Sequence, residues 1–169
     1  MEVICYACGK GEFPENTIEA IVHCQHINPD WRIEMDLQLT NDGEVVLFHD
    51  DNLLRISNVD KNISEVGYAE LKNMDAAYNF KEELGFPLRG ANLKIPLLKT
   101  VFRQFPNANY VLDVHSNKLE IVDKIVTVVE DSFMERKIVL VSKYHRILEK
   151  FKSKRPYWKY GASSKQVKW

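Results

Sequence analysis

The chain has 169 residues, 45% hydrophobic and 11% aromatic, which fits a single domain over residues 1–169 and excludes disordered and fibrous proteins. Its 23 basic and 24 acidic residues leave a formal net charge of -1, so no overall positive charge favours nucleic acid or an anionic membrane surface. No apolar run reaches the ~20 residues of a membrane span, and the first residues lack a secretory signal. Three cysteines are too few for a complete disulfide framework. We therefore expect a cytoplasmic protein.

The first part of the chain predicts two strands joined by a helix and followed by a hairpin. The first strand covers residues 3–7, and a helix opens at Asn16. A second strand at 31–38 alternates, so that one face carries the polar side chains Arg32, Glu34, Asp36 and Gln38. The sequence Asn41-Asp42-Gly43 predicts a tight turn into a strand at 44–48, which makes a hairpin that ends at His49.

The rest of the chain predicts an irregular insertion and then further strands and helices in alternation. Residues 52–95 show a helical pattern only at 68–74, which indicates an insertion. Beyond it we expect strands at 110–114, 138–141 and 157–162, with helices between them. The predicted strands therefore start at Val3, Trp31, Val45, Tyr110, Ile138 and Tyr157. Strands that alternate with helices favour parallel βαβ units.

Acidic and imidazole side chains lie at the carboxyl ends of three predicted strands. They are Glu34 and Asp36, then His49, then Asp113 with His115. Parallel α/β folds assemble their sites at these ends, and carboxylates two residues apart on one strand can share a divalent cation. An isolated Glu-x-Asp is more often an ordinary solvent-facing pair, so the cation site requires that both faces of the strand are buried. His49 is a candidate general acid or base.

Other reactive side chains carry weaker functional signals. The sequence Gly9-Lys10-Gly11 lacks the Ser or Thr of a phosphate-binding P-loop. No residue around Cys8 in the sequence indicates a lowered pKa of its thiol, so we expect a packed cysteine. His23, His26 and His145 fall on predicted helices without an acidic cluster, and we assign them no chemistry.

Short motifs follow one another along the chain in a specific order. They are Gly9, Pro14-Glu15-Asn16-Thr17, Ile33-Glu34-Met35-Asp36-Leu37, Thr40-Asn41-Asp42-Gly43, His49-Asp50-Asp51-Asn52-Leu53-Leu54-Arg55, Ile95-Pro96-Leu97-Leu98 and Leu112-Asp113-Val114. This series resembles the glycerophosphodiester phosphodiesterase family. The resemblance implies a (β/α)8 TIM-barrel fold, a divalent metal such as Mg²⁺ or Ca²⁺, and hydrolysis of a small-molecule glycerophosphodiester to glycerol 3-phosphate and an alcohol.

The resemblance also assigns roles to individual residues. It makes Glu34, Asp36 and Asp113 the metal ligands, with Asp113 in place of the usual Glu. His49 matches one of the two histidines that transfer protons. His115 stands where the family usually has a Lys, and we assign it to substrate binding as a replacement for a lost group.

The sequence departs from the family pattern in two ways. The family's His-Arg-Gly motif is Ala7-Cys8-Gly9 here, and the loss of one general acid or base typically costs ~10²- to 10⁴-fold in rate, so we expect weak or absent activity. Six predicted strands are fewer than the eight of a closed barrel, so we expect an incomplete barrel with open edges. Either a second copy or another chain completes the barrel, the sequence is a fragment of a longer protein, or the fold closes in a different way.

Two alternatives remain from the sequence alone. The first is an inactive module that binds a metal or a phosphodiester and pairs with another chain through its open edges. The second is a thiol protein built on Cys5 and Cys8, which only the proximity of these two residues supports.

Overall fold

The computed structural model describes residues 3–9 and 11–161, in which helices pack against one face of a five-stranded sheet. The strands are β1 (Ile4–Cys5), β2 (Arg32–Leu39), β3 (Val45–Leu47), β4 (Asn109–Val114) and β5 (Ile138–Val141). The helices are α1 (Ile18–Ile27), α2 (Leu54–Ser57), α3 (Tyr68–Leu71), α4 (Leu98–Gln104), α5 (Glu120–Asp131) and α6 (His145–Lys154).

Four of the strands run parallel, in the order β1-β2-β4-β5. Ile33 pairs with Tyr110 and Asp36 pairs with Asp113, so the carboxyl ends of β2 and β4 lie side by side. Such a sheet needs helical crossovers between its strands, which α1, α4 and α5 provide. Among residues 3–9 and 11–161 the sheet does not close on itself, as expected for an incomplete barrel.

Strand β3 forms the predicted hairpin, but it does not extend the parallel series. It pairs antiparallel with β2, because the tight turn at residues 41–43 reverses the chain directly, whereas a parallel partner would need a long crossover. It is therefore a hairpin arm, although the sequence count included it among the barrel strands. The last predicted strand is reduced to one parallel bridge between Leu140 and Tyr160, and residue 162 lies outside the described part of the chain.

Two separate hydrophobic clusters hold the fold together. The larger cluster packs α1, α4, α5 and α6 against the outer face of the sheet, where Met35, Leu112 and Leu140 are fully buried. The amphipathic helix α5 supplies Ile125 to this cluster, as its sequence pattern predicts. The smaller cluster lies inside the insertion and packs it against the end of β3. The inner face of the sheet, opposite the larger cluster, is left for polar side chains.

The cysteines behave differently from the expectation based on sequence. Cys5 on β1 forms a disulfide bond with Cys24 on α1, so in this structure Cys5 has no free thiol to share a site with Cys8. The two partners are 19 residues apart in sequence and meet because α1 packs back against β1. Cys8 is free and fully buried, which agrees with the prediction of a packed cysteine. No helix in the described part of the chain has the length and apolar character needed to span a membrane.

Candidate active site

The three predicted metal ligands meet on the inner face of the sheet. Glu34 and Asp36 alternate with apolar residues along β2, and Asp113 is paired with Asp36 across the β2–β4 register. Each of the three offers one carboxylate oxygen within 4.8 Å of the others. Glu34 is 6% and Asp36 is 2% exposed, so these are not the solvent-facing charges of an ordinary surface strand. The structure thus brings together the acids that the sequence proposed.

His49 reaches the same cluster from the end of the hairpin. The backbone N–H of Phe48 donates to the carbonyl of Asp36, 2.9 Å away, and this bond sets the next residue beside the acids. A ring nitrogen of His49, one of His115 and a carboxylate oxygen of Asp36 lie within 4.8 Å of one another. The two imidazole rings are 4.4 Å apart between centroids.

His115 lies between two of the acids. Its Nε2 is 3.0 Å from Oδ1 of Asp36 and 3.4 Å from Oδ2 of Asp113. Burial lowers the pKa of His115, but the hydrogen bonds and charges of Asp113 and Asp36 outweigh it and raise this pKa to about 9. Burial also opposes ionisation of Asp36, yet hydrogen bonds from His115 and Asn16 lower its pKa overall. At neutral pH His115 is therefore a cation and Asp36 an anion.

Glu34 has no such cationic partner at hydrogen-bond distance in the described residues. Its Oε2 accepts a 2.6 Å hydrogen bond from the backbone N–H of Ala7. Burial, followed by the negative charge of Asp36, raises the pKa of Glu34 to about 8. A buried carboxylate of this kind is stabilised in its ionised form by an added positive charge, and oxygen ligands suit a hard divalent cation. The donor set of Glu34, Asp36 and Asp113 thus fits such an ion.

Neither Ala7 nor Cys8, in the turn at the end of β1, offers a group that can transfer a proton to a substrate at neutral pH. Ala7 and Cys8 adopt left-handed backbone conformations, with φ of 44° and 56°. Both are buried, and the Cys8 thiol donates to the carbonyl of Glu34 at 3.3 Å. Burial, together with the charges of Glu34 and Asp36, holds the pKa of the Cys8 thiol well above its usual value, so it is not a nucleophile.

Asn16 is a site residue that the sequence reasoning interpreted differently. Its Nδ2 donates to Oδ2 of Asp36 at 2.8 Å, and its Oδ1 accepts from the Asp36 backbone N–H at 3.1 Å. The prediction that α1 opens at Asn16 is wrong by one residue. Thr17 caps the helix instead, by accepting a hydrogen bond from the N–H of Ala20. The motif Pro14-Glu15-Asn16-Thr17 pointed to Asn16, but an Asn side chain suits both a helix cap and a contact in a polar site, so the sequence did not distinguish the two roles.

Asp50, Arg55 and Glu15 form a chain of charged side chains that begins at His49. Nδ1 of His49 is 2.6 Å from Oδ1 of Asp50, and Nε of Arg55 donates to Oδ2 of Asp50 at 2.5 Å. The same guanidinium makes two hydrogen bonds to Glu15. Burial opposes the ionisation of Asp50, but hydrogen bonds from Arg55 and His49 prevail and lower its pKa. Asp50 therefore remains an anion that orients the imidazole of His49.

The chain is similar in sequence to a family of phosphodiesterases and to several of its characterised members. The model of the glycerophosphoryl diester phosphodiesterase family matches residues 8–168. Human lysophospholipase D is 33% identical over 147 residues, an alignment that covers 87% of this chain and 46% of that protein. The glycerophosphodiester phosphodiesterase of Bacillus altitudinis is 31% identical over 154 residues, covering 88% of this chain and 60% of the relative. The chain thus spans about half of the length of the human relative and somewhat more of the bacterial one.

Solved structures of such phosphodiesterases have the same fold. The glycerophosphoryl diester phosphodiesterase domain of a Mycobacterium tuberculosis protein superposes with a TM-score of 0.85 at 20% identity, over 97% of this chain and 60% of that one. An Oleispira antarctica phosphodiesterase, solved with its product sn-glycerol-3-phosphate, gives a TM-score of 0.81 at 26% identity, over 95% and 65% of the two chains. The expected TIM-barrel type of fold, with an incomplete barrel in the described residues, is confirmed.

Proposed function

Because the chain belongs to the glycerophosphoryl diester phosphodiesterase family, we propose that it hydrolyses glycerophosphodiesters to glycerol 3-phosphate and an alcohol, at a rate well below that of an enzyme with an intact His-Arg-Gly motif. The observation that carries this proposal is the convergence of Glu34, Asp36, His49, Asp113 and His115 at the carboxyl end of the sheet. This end of a parallel sheet is where α/β folds place their reacting groups.

His49 is the residue that we assign to proton transfer. Asp50 fixes the tautomer of the imidazole through Nδ1, so Nε2 is the nitrogen available to a substrate. In this position Nε2 accepts the proton of an attacking hydroxyl group or donates one to the departing alcohol. The single imidazole has to serve both steps, because Ala7 stands where the family's second histidine would be.

His115 is the residue that we assign to the phosphate group. In the metal-free protein the adjacent carboxylates raise its pKa to about 9, so that it is a cation at neutral pH. A positive group at this position attracts a phosphodiester oxygen and lowers the energy of the charge that develops there. It takes over part of the task of the missing arginine at Cys8.

Glu34, Asp36 and Asp113 are the residues that we assign to a divalent cation, Mg²⁺ or Ca²⁺. Three carboxylates within 4.8 Å of one another provide the hard oxygen ligands that these ions prefer. A cation bound there neutralises charge on the phosphodiester and polarises its phosphorus–oxygen bonds. Asn16 keeps Asp36 in place by its two hydrogen bonds.

The proposal is tested by the release of glycerol 3-phosphate from glycerophosphocholine in the presence of each divalent cation. We expect slow turnover that is lost in His49→Ala and retained in His26→Ala, which removes an exposed histidine on α1. Turnover that His49→Ala leaves unchanged would show that a contaminant or a different site is responsible.

The buried turn at Ala7 and Cys8 favours a second candidate function, an inactive module that binds a phosphodiester without cleaving it. This module would keep the acidic cluster and His115 but lack proton transfer. Binding of glycerophosphocholine that depends on the cation and on His115, with no product over prolonged incubation, would establish this function and exclude hydrolysis.

Two further expectations from the sequence belong to this proposal. The first is a partner, either a second copy or another chain, that pairs with this chain through the open edges of the barrel. The second is a cytoplasmic location, which predicts that the Cys5–Cys24 disulfide forms only after cell lysis. Acid quenching of intact cells, followed by alkylation of the denatured protein and mass spectrometry, would show alkylated Cys24 if the location is cytoplasmic. A blocked Cys24 would contradict it.

A further inference from the structure

A polar cavity of about 350 Å³ lies at the carboxyl ends of β2 and β4, between the insertion and the loop that leads from β4 to α5. Its volume falls within the ~300–1,000 Å³ of pockets that hold small molecules. Most of its lining side chains are polar, and none of the described ones is aromatic. The roles assigned so far leave this cavity without a function.

The cavity adjoins the candidate active site on two sides. Gln38 forms part of its wall and follows Asp36 on the same face of β2, about 7 Å farther along the strand. Ser116 also lines it and directly follows His115, the residue assigned to the phosphate group. A phosphodiester bound at the site would therefore extend one of its two alcohol moieties into the cavity.

The wall of the cavity presents both donors and acceptors of hydrogen bonds to an occupant. In the part of the chain that the structure describes, the ammonium of Lys118 forms no ion pair, and the side chains of Asn117 and Ser64 form no hydrogen bond. The carboxylate of Asp51 accepts a hydrogen bond from Nε2 of Gln38 at 3.1 Å and keeps further lone pairs. With one positive and one negative side chain, the described wall has no net charge.

This mixture of groups matches hydroxyl groups better than the other groups of an alcohol moiety. A hydroxyl group donates one hydrogen bond and accepts others, so neighbouring hydroxyls can satisfy the carboxylate and the ammonium of the same wall. A quaternary ammonium such as choline neither donates nor accepts, and it binds to aromatic faces, which the described wall lacks. We propose, on the basis of the phosphodiesterase function proposed above, that the cavity receives the departing alcohol moiety and favours a polyol, such as a linear or cyclic sugar alcohol, over choline.

The proposal is tested with two ligands that differ only in their hydroxyl groups. Glycerophosphoinositol carries a hydroxylated six-membered ring, and glycerophosphocyclohexanol carries the same ring, at the same charge, without those hydroxyls. Titration calorimetry in the presence of Ca²⁺ measures both affinities, and an assay for glycerol 3-phosphate after each titration separates binding from turnover. A hydrogen bond contributes about fivefold in affinity, so two of them predict about 25-fold tighter binding of glycerophosphoinositol.

Variants of the cavity wall show where the polyol binds. Asn117→Leu and Lys118→Met remove hydrogen-bonding groups at nearly constant size, and each should lower the ratio of the two affinities by about fivefold. Damage to the whole site would instead weaken both ligands and leave this ratio unchanged. Lys72→Met is the matched control, because it removes an exposed lysine of the insertion that does not line the cavity. Thermal unfolding verifies that each variant is folded.

The outcomes separate this proposal from the function on which it rests. Equal affinities of the parent protein for the two ligands, no binding of glycerophosphoinositol, or a preference that both wall variants retain would overturn the assignment of the cavity. Hydrolysis of glycerophosphocholine without a polyol preference would leave the proposed function intact and exclude the polyol site. A polyol preference that the wall variants reduce, with no hydrolysis of any ligand, would support the polyol site and overturn the hydrolase.

Discussion

At the scale of single residues, the candidate site is dominated by an unequal distribution of charge. Asp36 and Asp113 have His115 as a cationic neighbour, whereas Glu34 has a backbone N–H group from Ala7. The pKa of Glu34 is consequently raised to about 8, while that of Asp36 is lowered. Among the proposed ligands, Glu34 is therefore the one whose ionisation depends most on an added cation.

The first prediction concerns the pH dependence of cation binding. A metal requires the ionised carboxylate, so protons compete with it at Glu34. We expect the affinity for Mg²⁺ or Ca²⁺ to fall by up to about tenfold for each unit of pH below 8. Titration calorimetry between pH 6 and 9 measures this slope. In Glu34→Gln the binding should be weaker and its slope flatter, while Glu70→Gln, an exposed control, should match the parent.

The same group predicts how the stability of the metal-free protein changes with pH. The pKa of Glu34 in the folded protein lies above its ordinary value, so its stabilising contribution is complete in acid and is lost as the pH rises through about 8. The raised pKa of His115 acts in the same direction. We expect the unfolding temperature of metal-free protein to fall from pH 5 to pH 9 and a saturating cation to restore it at pH 8. A profile that rises over this range would contradict the assignment.

The second prediction tests how Arg55 and Asp50 position His49. Asp50→Asn keeps the shape of the side chain but removes the anion that orients the imidazole, and the loss of such a partner costs about 10- to 100-fold in activity. We expect the loss in kcat rather than in KM, because the headgroup contacts remain. Arg55→Lys should give a smaller loss, since it keeps a cation beside Asp50. Nitrogen NMR shifts of His49 provide a readout that a merely destabilised protein would not change.

The sequence identified residues whose position follows from local periodicity, but it did not identify residues whose role depends on contacts between distant positions. Glu34 and Asp36 were predicted correctly to share one face of a strand because alternation along a strand is a local property, whereas the burial of that face became evident only in the structure. The contacts of Asn16 with Asp36 and of Arg55 with Glu15 join positions 20 and 40 residues apart, and no periodicity encodes them. His115 was assigned by its place after Asp113, but only the three-dimensional structure shows that it lies between two acids.

At the scale of elements, the link between β1 and α1 holds the turn that replaces the family's catalytic motif. The Cys5–Cys24 disulfide spans this turn, and Gly9 within it has a φ of 92°. A Cβ on Gly9 would lie 3.2 Å from Sγ of Cys24, so a side chain there would be strained in both backbone and packing. The disulfide and the glycine together restrain the left-handed conformations of Ala7 and Cys8.

The third prediction is that the disulfide stabilises this element. Bonds that close loops of this length typically contribute ~3 kcal/mol. We expect Cys24→Ser, or reduction of the parent, to lower the free energy of unfolding by about that amount, as measured by urea denaturation. The Cys24→Ser protein should be insensitive to reductant, which is the internal control. A parent protein that is equally stable with and without reductant would show that the bond is absent or contributes nothing.

For some helices and strands, the pattern in the sequence was sufficient to predict the structure. Turn residues at 41–43 predicted the hairpin, and the apolar face of α5 predicted a helix packed on the sheet. The count of barrel strands was less accurate, because β3 has the composition of a barrel strand but its direction is set by the turn before it. The sequence identified the insertion only by its irregularity, and its small hydrophobic cluster is made by contacts between distant residues.

At the scale of the whole molecule, the inner face of the sheet is only partly covered. In the parallel register, Glu34 is level with Val111 and Val139, and Asp36 is level with Asp113 and then Val141. Val139 and Val141 are half-buried, whereas Leu140 on the outer face is completely covered. Strand β5, which carries both valines, is the last strand of the parallel order, and in the described residues its outer edge is paired at the single bridge between Leu140 and Tyr160. An apolar strip next to the candidate site is thus available to a partner chain.

The fourth prediction is that a second copy of the chain covers this strip. Burial of apolar side chains at a shared surface stabilises the association, and it also excludes water from the neighbouring acids. We expect a dimer in sedimentation velocity experiments at micromolar concentration.

Val139→Asp should dissociate this dimer, because a charge would be buried opposite the partner. Phe133→Asp is the control, since Phe133 is 85% exposed and lies after α5, at the opposite end of the strands from the site. A monomer at all concentrations would exclude the second copy. The strip would then be covered by a different chain, or it would remain open to substrate.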